Sequence, residues 1–166
     1  MYTVDQVADW FIARGRAEMI VDDYAEPITK MKLQKLLYFA QGVNLAAHNQ
    51  RLFDSNLYAF DHGPVTSEIQ DKYDGKDLPE FQPEISDDRK VELADNFDRL
   101  SSDKNSAEVL DFVWNQYSKY TASKLRDLSH DPDGPWAAIY RPRVMWNKID
   151  DLAVEKYFKD RVVDVD

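Results

Sequence analysis

Apolar residues recur at steps of three and four along most of this chain, which predicts a mainly α fold. Thr3 and Gln6 have the spacing of a capping box, and Val4, Val7, Ala8, Phe11 and Ile12 follow at helical intervals. The first helix they form is expected to end or loosen at Gly15. Residues 22–28 (DDYAEPI) read as a linker stiffened by Pro27. Thr29 then stands as N-cap to the longest apolar stretch, KMKLQKLLYFAQGVNLAAH. Leu33, Leu36, Ala40, Val43 and Ala47 make one stripe, Met31, Tyr38 and Leu45 a second, with Phe39 and Ala46 between them. A helix apolar around most of its girth is buried among other elements, so residues 30–48 are predicted as the central helix. Gln34 and Gln41, seven apart, share its narrow polar side.

The pattern changes over 51–65, where Leu57 and Ala59 alternate with Tyr58 and Phe60 and predict a short extended segment broken by His62-Gly63-Pro64. Thr66 or Ser67 caps a short helix through Tyr73, closed by Asp74-Gly75. Residues 76–86, with two prolines, read as a mobile surface excursion. Leu93, Phe97 and Leu100 give a helix starting near Asp87. Asn105 and Glu108 form another capping-box spacing, and Val109, Val113, Tyr117, Tyr120, Leu125 and Leu128 carry the helical pattern to about His130. HDPDGPW (130–136) is a structured turn, with Pro135 opening a short helix that carries Trp136, Ile139 and Tyr140. VEKYFKDRVVDVD is read as one more helix that frays. The expectation is a single globular domain over 1–166: roughly six helices around a buried central helix, with a short β element near 57–61. Its core is expected to contain Phe11, Leu33, Leu36, Leu37, Ala40, Val43, Val113 and Leu125.

Composition narrows the function. Lys plus Arg total 21 against 31 Asp plus Glu, a net charge of −10, which argues against general nucleic-acid binding and suits a basic protein partner. Cysteine is absent, so disulfides, thiolate zinc sites and cysteine nucleophiles are excluded. No run approaches the length of a membrane span, and Asp5 and Asp9 sit in the opening stretch; no membrane association is expected, and the cytoplasm is the simplest location. His48, His62 and His130 are the only strong metal or base candidates, and they have no HExxH or other helical pairing. His130-Asp131-x-Asp133 reads first as a helix end, the histidine meeting orphan carbonyls and an aspartate capping the next helix. The paired acids Asp22-Asp23, Asp87-Asp88 and Asp150-Asp151 read as solvated helix starts. Lys30, Lys32 and Lys35 form no clean stripe and are expected to reach past apolar neighbours to water. Phosphate-loop and nucleophile-elbow motifs are missing, and no cofactor or metal is implied.

Three stretches together carry a resemblance. ITKMKLQKLLYFAQG (28–42), AFDHGPV (59–65) and LSHDPDGPW (128–136), in that order and spacing, resemble the signatures of the Panacea domain of SocA-like antitoxins, a family long described as phage-associated. The likeness spans about 3–140, with its core signature about 28–140. It departs at Phe60, where tryptophan is commoner, and at Asp133-Gly134, which lengthens the last turn. What the resemblance implies is a non-enzymatic antitoxin that binds a toxin encoded beside it. One branch of the family acts as an adaptor to a ClpXP-type protease. Some members add a DNA-binding domain, for which the residues before 29 leave room for only one helix, so self-repression of an operon is not expected. The alternatives are a phage or prophage accessory protein acting on a host factor, and a histidine- or metal-dependent hydrolase using His62 and His130. The signature residues His62, Gly63, Pro64, Val65, His130, Pro135 and Trp136 are the candidate partner-binding residues. The two turns that hold them are expected to lie together at one end of the domain, where His62 and His130 satisfy carbonyls and Trp136 buries its ring.

Overall fold

The computed structural model describes residues 1–74 and 77–163. Among them are eight α-helices, α1 (Val4–Val21), α2 (Lys30–His48), α3 (Ser67–Lys72), α4 (Asp87–Ser102), α5 (Lys104–Tyr117), α6 (Ala122–Ser129), α7 (Pro135–Ile139) and α8 (Asp151–Arg161), and one hairpin, β1 (Tyr58–Phe60) and β2 (Gly63–Val65). The fold is mainly α, and α2 is its axis: α1, α5, α6, α8 and β2 all pack against it. All eight predicted core residues are buried in one hydrophobic cluster that reaches from α1 to α8.

Local chemistry sets the boundaries. Thr3 caps α1 as expected, its hydroxyl accepting from Gln6 N (3.2 Å) while Gln6 Oε1 accepts from Thr3 N (3.0 Å). Thr29 caps α2 by accepting from Lys32 N. Gly15 does not end α1. A Cβ there would lie 2.8 Å from Ile28 Cδ1 and 3.2 Å from Phe81, so the glycine serves close packing inside a continuous helix. The helical run after residue 103 is two helices rather than one. Asp103, not Asn105, caps α5 by accepting from the Asn105 and Ser106 amides, and Thr121 starts α6 by accepting from Lys124 N. A side-chain cap satisfies orphan amides locally, so a capping residue inside an apolar pattern breaks the helix without breaking the pattern.

The predicted excursion over 76–86 is a docked segment in its described part. Leu78 and Glu80 are buried, the first preceding and the second within a 3₁₀ turn over Pro79–Phe81. Arg89 binds Asp9 through two nitrogens (2.7 and 2.8 Å) and Glu80 at 2.8 Å, Tyr73 OH donates to Glu80 (2.8 Å), and Asn96 donates to Asp9 (2.8 Å). Burial opposes ionisation of Glu80, yet its bonds from Arg89 and Tyr73 hold its carboxyl below the usual range. The network ties Tyr73, the 3₁₀ turn and the start of α4 to α1. Gly75, expected to close α3, lies outside the described residues, as do Lys76 and the last three residues of the tail. No helix among the described residues is long and apolar enough to cross a membrane.

Candidate functional site

The polar side of α2 is not a solvent face. Gln34 and Gln41 are both buried, and each acts as a two-way clamp on backbone. Gln41 accepts from Leu52 N (2.8 Å) and donates to Phe53 O (3.0 Å). Gln34 accepts from Thr66 N (2.8 Å) and donates to Thr66 O (3.0 Å). A primary amide carries both a donor and an acceptor, so one side chain satisfies both groups of a passing peptide. Next to Gln34 in the chain, Lys35 donates to Pro64 O at 2.9 Å. These bonds lay the hairpin along α2.

The lysines correct the sequence reading. Lys35 is 1% exposed and does not reach water. Burial, with a smaller contribution from the Arg126 charge, pushes its ammonium down to about 7. Lys32 is half-buried and donates to Ser118 O (2.6 Å), placing its charge at the negative end of α5.

The hairpin pairs Tyr58 with Val65, Ala59 with Pro64 and Phe60 with Gly63. His62-Gly63-Pro64 therefore does not end the β element; it turns it and supplies the second strand. Gly63 has φ +103°, and a Cβ there would stand 2.5 Å from Ser129 Oγ and 3.0 Å from Lys35 Cε, so both conformation and space require glycine. The contact brings the two signature turns together as expected. Trp136 Nε1 donates to Phe60 O (2.8 Å), and the indole is stacked between His130 (3.7 Å) and Tyr140 (4.4 Å). Tyr140 OH donates to Asp61 at 2.5 Å.

Gly63, Pro64, Val65, Pro135 and Trp136 are buried, whereas His62 is exposed at the tip of the hairpin. The expected role of the two imidazoles is not what the geometry gives. His130 does end α6, but its backbone N–H meets the Arg126 and Asp127 carbonyls while its ring lies on Trp136 with Nε2 buried and, among the described residues, unpartnered. Burial, then Arg126 and Lys35, lower its pKa. The His62 ring meets no carbonyl among the described residues. Nor does an aspartate side chain cap α7: Gly134 holds that position, and Asp131 instead accepts from Asp133 N and Tyr157 OH. His48 sits at the far end of α2, and among the described residues no three His, Asp or Glu side chains gather to hold a metal ion.

Beside the joined turns lies a groove of about 520 Å³, walled by Met31, Gln34 and Lys35 of α2, Phe60 to His62, Val65, and Met145. Met145 and Trp146 come from 141–149, to which sequence reasoning assigns no element. Trp146 remains 50% exposed, held edge-on against Tyr58 (5.1 Å) and Phe60 (4.8 Å). The available signal was a Val-Met-Trp run between basic residues, too short for any periodicity.

The structure thus defines a helical domain that presents an aromatic-edged groove built on two interlocked turns. The chain belongs to the SocA-like antitoxin family: the family described as "Antitoxin SocA-like, Panacea domain" matches residues 33–137, which include both turns. No curated protein and no solved structure matches the chain.

Proposed function

We propose that this protein is an antitoxin that neutralises a toxin encoded beside it by direct binding, without catalysis, and that the groove beside the joined turns is its contact face. Family membership supports the antitoxin role. The observation that carries the contact face is Trp146, a large ring left half in water on a rigid aromatic support, with Met145 beside it. Half-exposed tryptophan on a fixed platform is the residue type that most often anchors interfaces. The buried signature residues build this platform, and His62 stands at its edge. The net charge of −10 steers a basic toxin toward the domain over longer range.

Co-expression with the neighbouring gene product tests the reading. A neighbour that is harmless alone and forms no stable complex would sink it. Trp146→Ala is expected to weaken the complex by at least about 2 kcal/mol, or ~30-fold in Kd, with melting little changed. His62→Ala should also weaken neutralisation at unchanged stability; parallel loss of both would leave His62 a structural role only. Repeating the co-expression in cells lacking ClpXP separates occlusion, which survives, from delivery to the protease, which does not.

A further inference from the structure

The loop that follows α7 holds cations and apolar side chains out in solvent on a fixed backbone. Val144 N donates to Arg141 O (3.1 Å) and closes a turn, with Pro142 and Arg143 between them. Arg143 has φ +67°, at the turn position that glycine or asparagine ordinarily fills after a proline. A side chain costs conformational energy there, and this arginine is exposed, so no burial offsets it. Strain of this kind clusters at binding sites. The end of the loop is tied to β1, with Ala59 N donating to Asn147 O (2.9 Å) and Ile149 N donating to Leu57 O (2.8 Å). Between turn and tie, Val144, Met145 and Trp146 stand 46%, 53% and 50% exposed in a row.

The charge of the loop is of one sign. Arg141, Arg143 and Lys148 are all exposed, and none forms an ion pair among the described residues. No Asp or Glu occurs between Asp133 and Asp150. Acids on the adjoining elements are engaged elsewhere: Asp61 by Tyr140, Asp133 by Arg161 and Asp151 by Arg51. Arg141 and Lys148, with Ala138, Ile139 and Asn147, line a cavity of about 330 Å³ that has no carboxylate in its wall. In an acidic chain, this loop is an island of unpaired positive charge.

We infer that the 141–148 loop is a recognition element for an acidic segment of the bound partner, whose carboxylates meet Arg141, Arg143 and Lys148 and whose apolar residues lie on Val144 and Trp146. The inference rests on the antitoxin reading for the identity of the partner. All three cations reach water, so a carboxylate approaches them without any rearrangement of the fold, and Arg141 offers it the planar fork that binds two oxygens at once. The tie to β1 holds the loop in place before the partner arrives, which lowers the entropy lost on binding. A segment of a protein fits better than a nucleic acid: the domain's net charge of −10 repels a long polyanion, whereas a few carboxylates on a basic toxin meet only the loop. The toxin as a whole is drawn by the domain's negative field, while the segment seated here is acidic.

The test turns on sign. Replacing Arg141 and Lys148 together by glutamine makes the domain more acidic, so its long-range pull on a basic toxin grows. Calorimetric titration of the full chain with the product of the neighbouring gene should nevertheless show the double variant binding roughly tenfold more weakly, with melting unchanged. Arg143→Gly relieves the positive φ while removing a cation, so it should melt no lower than the wild type and bind roughly threefold more weakly. Equal or tighter binding by the double variant, or by Arg143→Gly, overturns the inference while leaving the antitoxin reading intact. Absence of any wild-type complex sinks that reading instead, and the loop is then probed without the toxin. In that case, ¹⁵N NMR of the full chain should show the Trp146 indole and Asn147 amide resonances moving with acetyl-Glu-Glu-Leu-Leu-amide but not with acetyl-Gln-Gln-Leu-Leu-amide. No difference between the two peptides, or an equal response to a single-stranded oligonucleotide, overturns the site.

Discussion

Replacing Lys35 by methionine keeps the stem's packing and removes the buried amine, which makes the pH dependence of stability a direct reading of its environment. The ammonium has an ordinary value of 10.5 and is held at about 7 in the folded chain. A base whose folded pKa is depressed binds fewer protons folded than unfolded, so stability rises with pH between the two values. Fully developed below pH 7, the penalty of burying the charged amine is roughly 5 kcal/mol, and at pH 9 it has fallen to roughly 2 kcal/mol. Against this, Lys35→Met loses the bond to Pro64 O and leaves that carbonyl unpaired, a cost of about 2 kcal/mol. The variant should therefore be about 3 kcal/mol more stable than the wild type at pH 6, with the difference vanishing near pH 9. Urea melts of both proteins at several pH values measure it; taking the difference cancels the tyrosines, while His130, whose pKa Lys35 helps to lower, adds to the variant's advantage at low pH. A variant less stable than the wild type at pH 6, or a difference that does not change with pH, refutes the argument.

Gly42→Ala opposes helix propensity with packing: alanine gains about 1 kcal/mol in a helix, but its Cβ would lie 2.3 Å from the buried ring of Phe158. Overpacking costs about 1–3 kcal/mol or more, so net destabilisation is expected in denaturant melts, and a neutral or stabilised variant would contradict the α2–α8 packing. Asp9→Asn removes the charge that Arg89 binds through two nitrogens and leaves the guanidinium with Glu80 as its one buried carboxylate partner, Glu92 being largely exposed. It should cost about 3 kcal/mol at neutral pH and speed proteolysis within 77–89, as measured by melts and limited digestion; unchanged protection of that segment would refute the docked arrangement.

Much of this fold was legible because periodicity reports burial directly. The stripes of α2 identified the axis of the domain, and the core residues named from them are buried, since an apolar residue at helical spacing has few stable places other than inside. Caps were legible where the hydroxyl preceded the apolar run, as at Thr3 and Thr29, and were missed at Asp103 and Thr121, where the pattern continued across the break. The juxtaposition of the signature turns was readable because each follows an element that packs on α2. Their side-chain roles were not, because what a ring stacks on or bonds to depends on residues far away in sequence.

The sequence by itself determined the helical class, the buried central helix, the acidic balance and, through three short signatures, the family. Tertiary structure alone decided the fate of the polar residues. Glutamine and lysine look alike in a pattern whether they face water or a peptide group. Gln34, Gln41 and Lys35 are buried because backbone from residues 52–66 arrives with unpaired groups that they satisfy. Asp9 and Glu80 are buried because Arg89 comes to meet them from another helix. An apolar residue is driven from water whatever its neighbours, but a polar one goes inside only when a distant partner is there to receive it, and the position of that partner is a property of the folded chain.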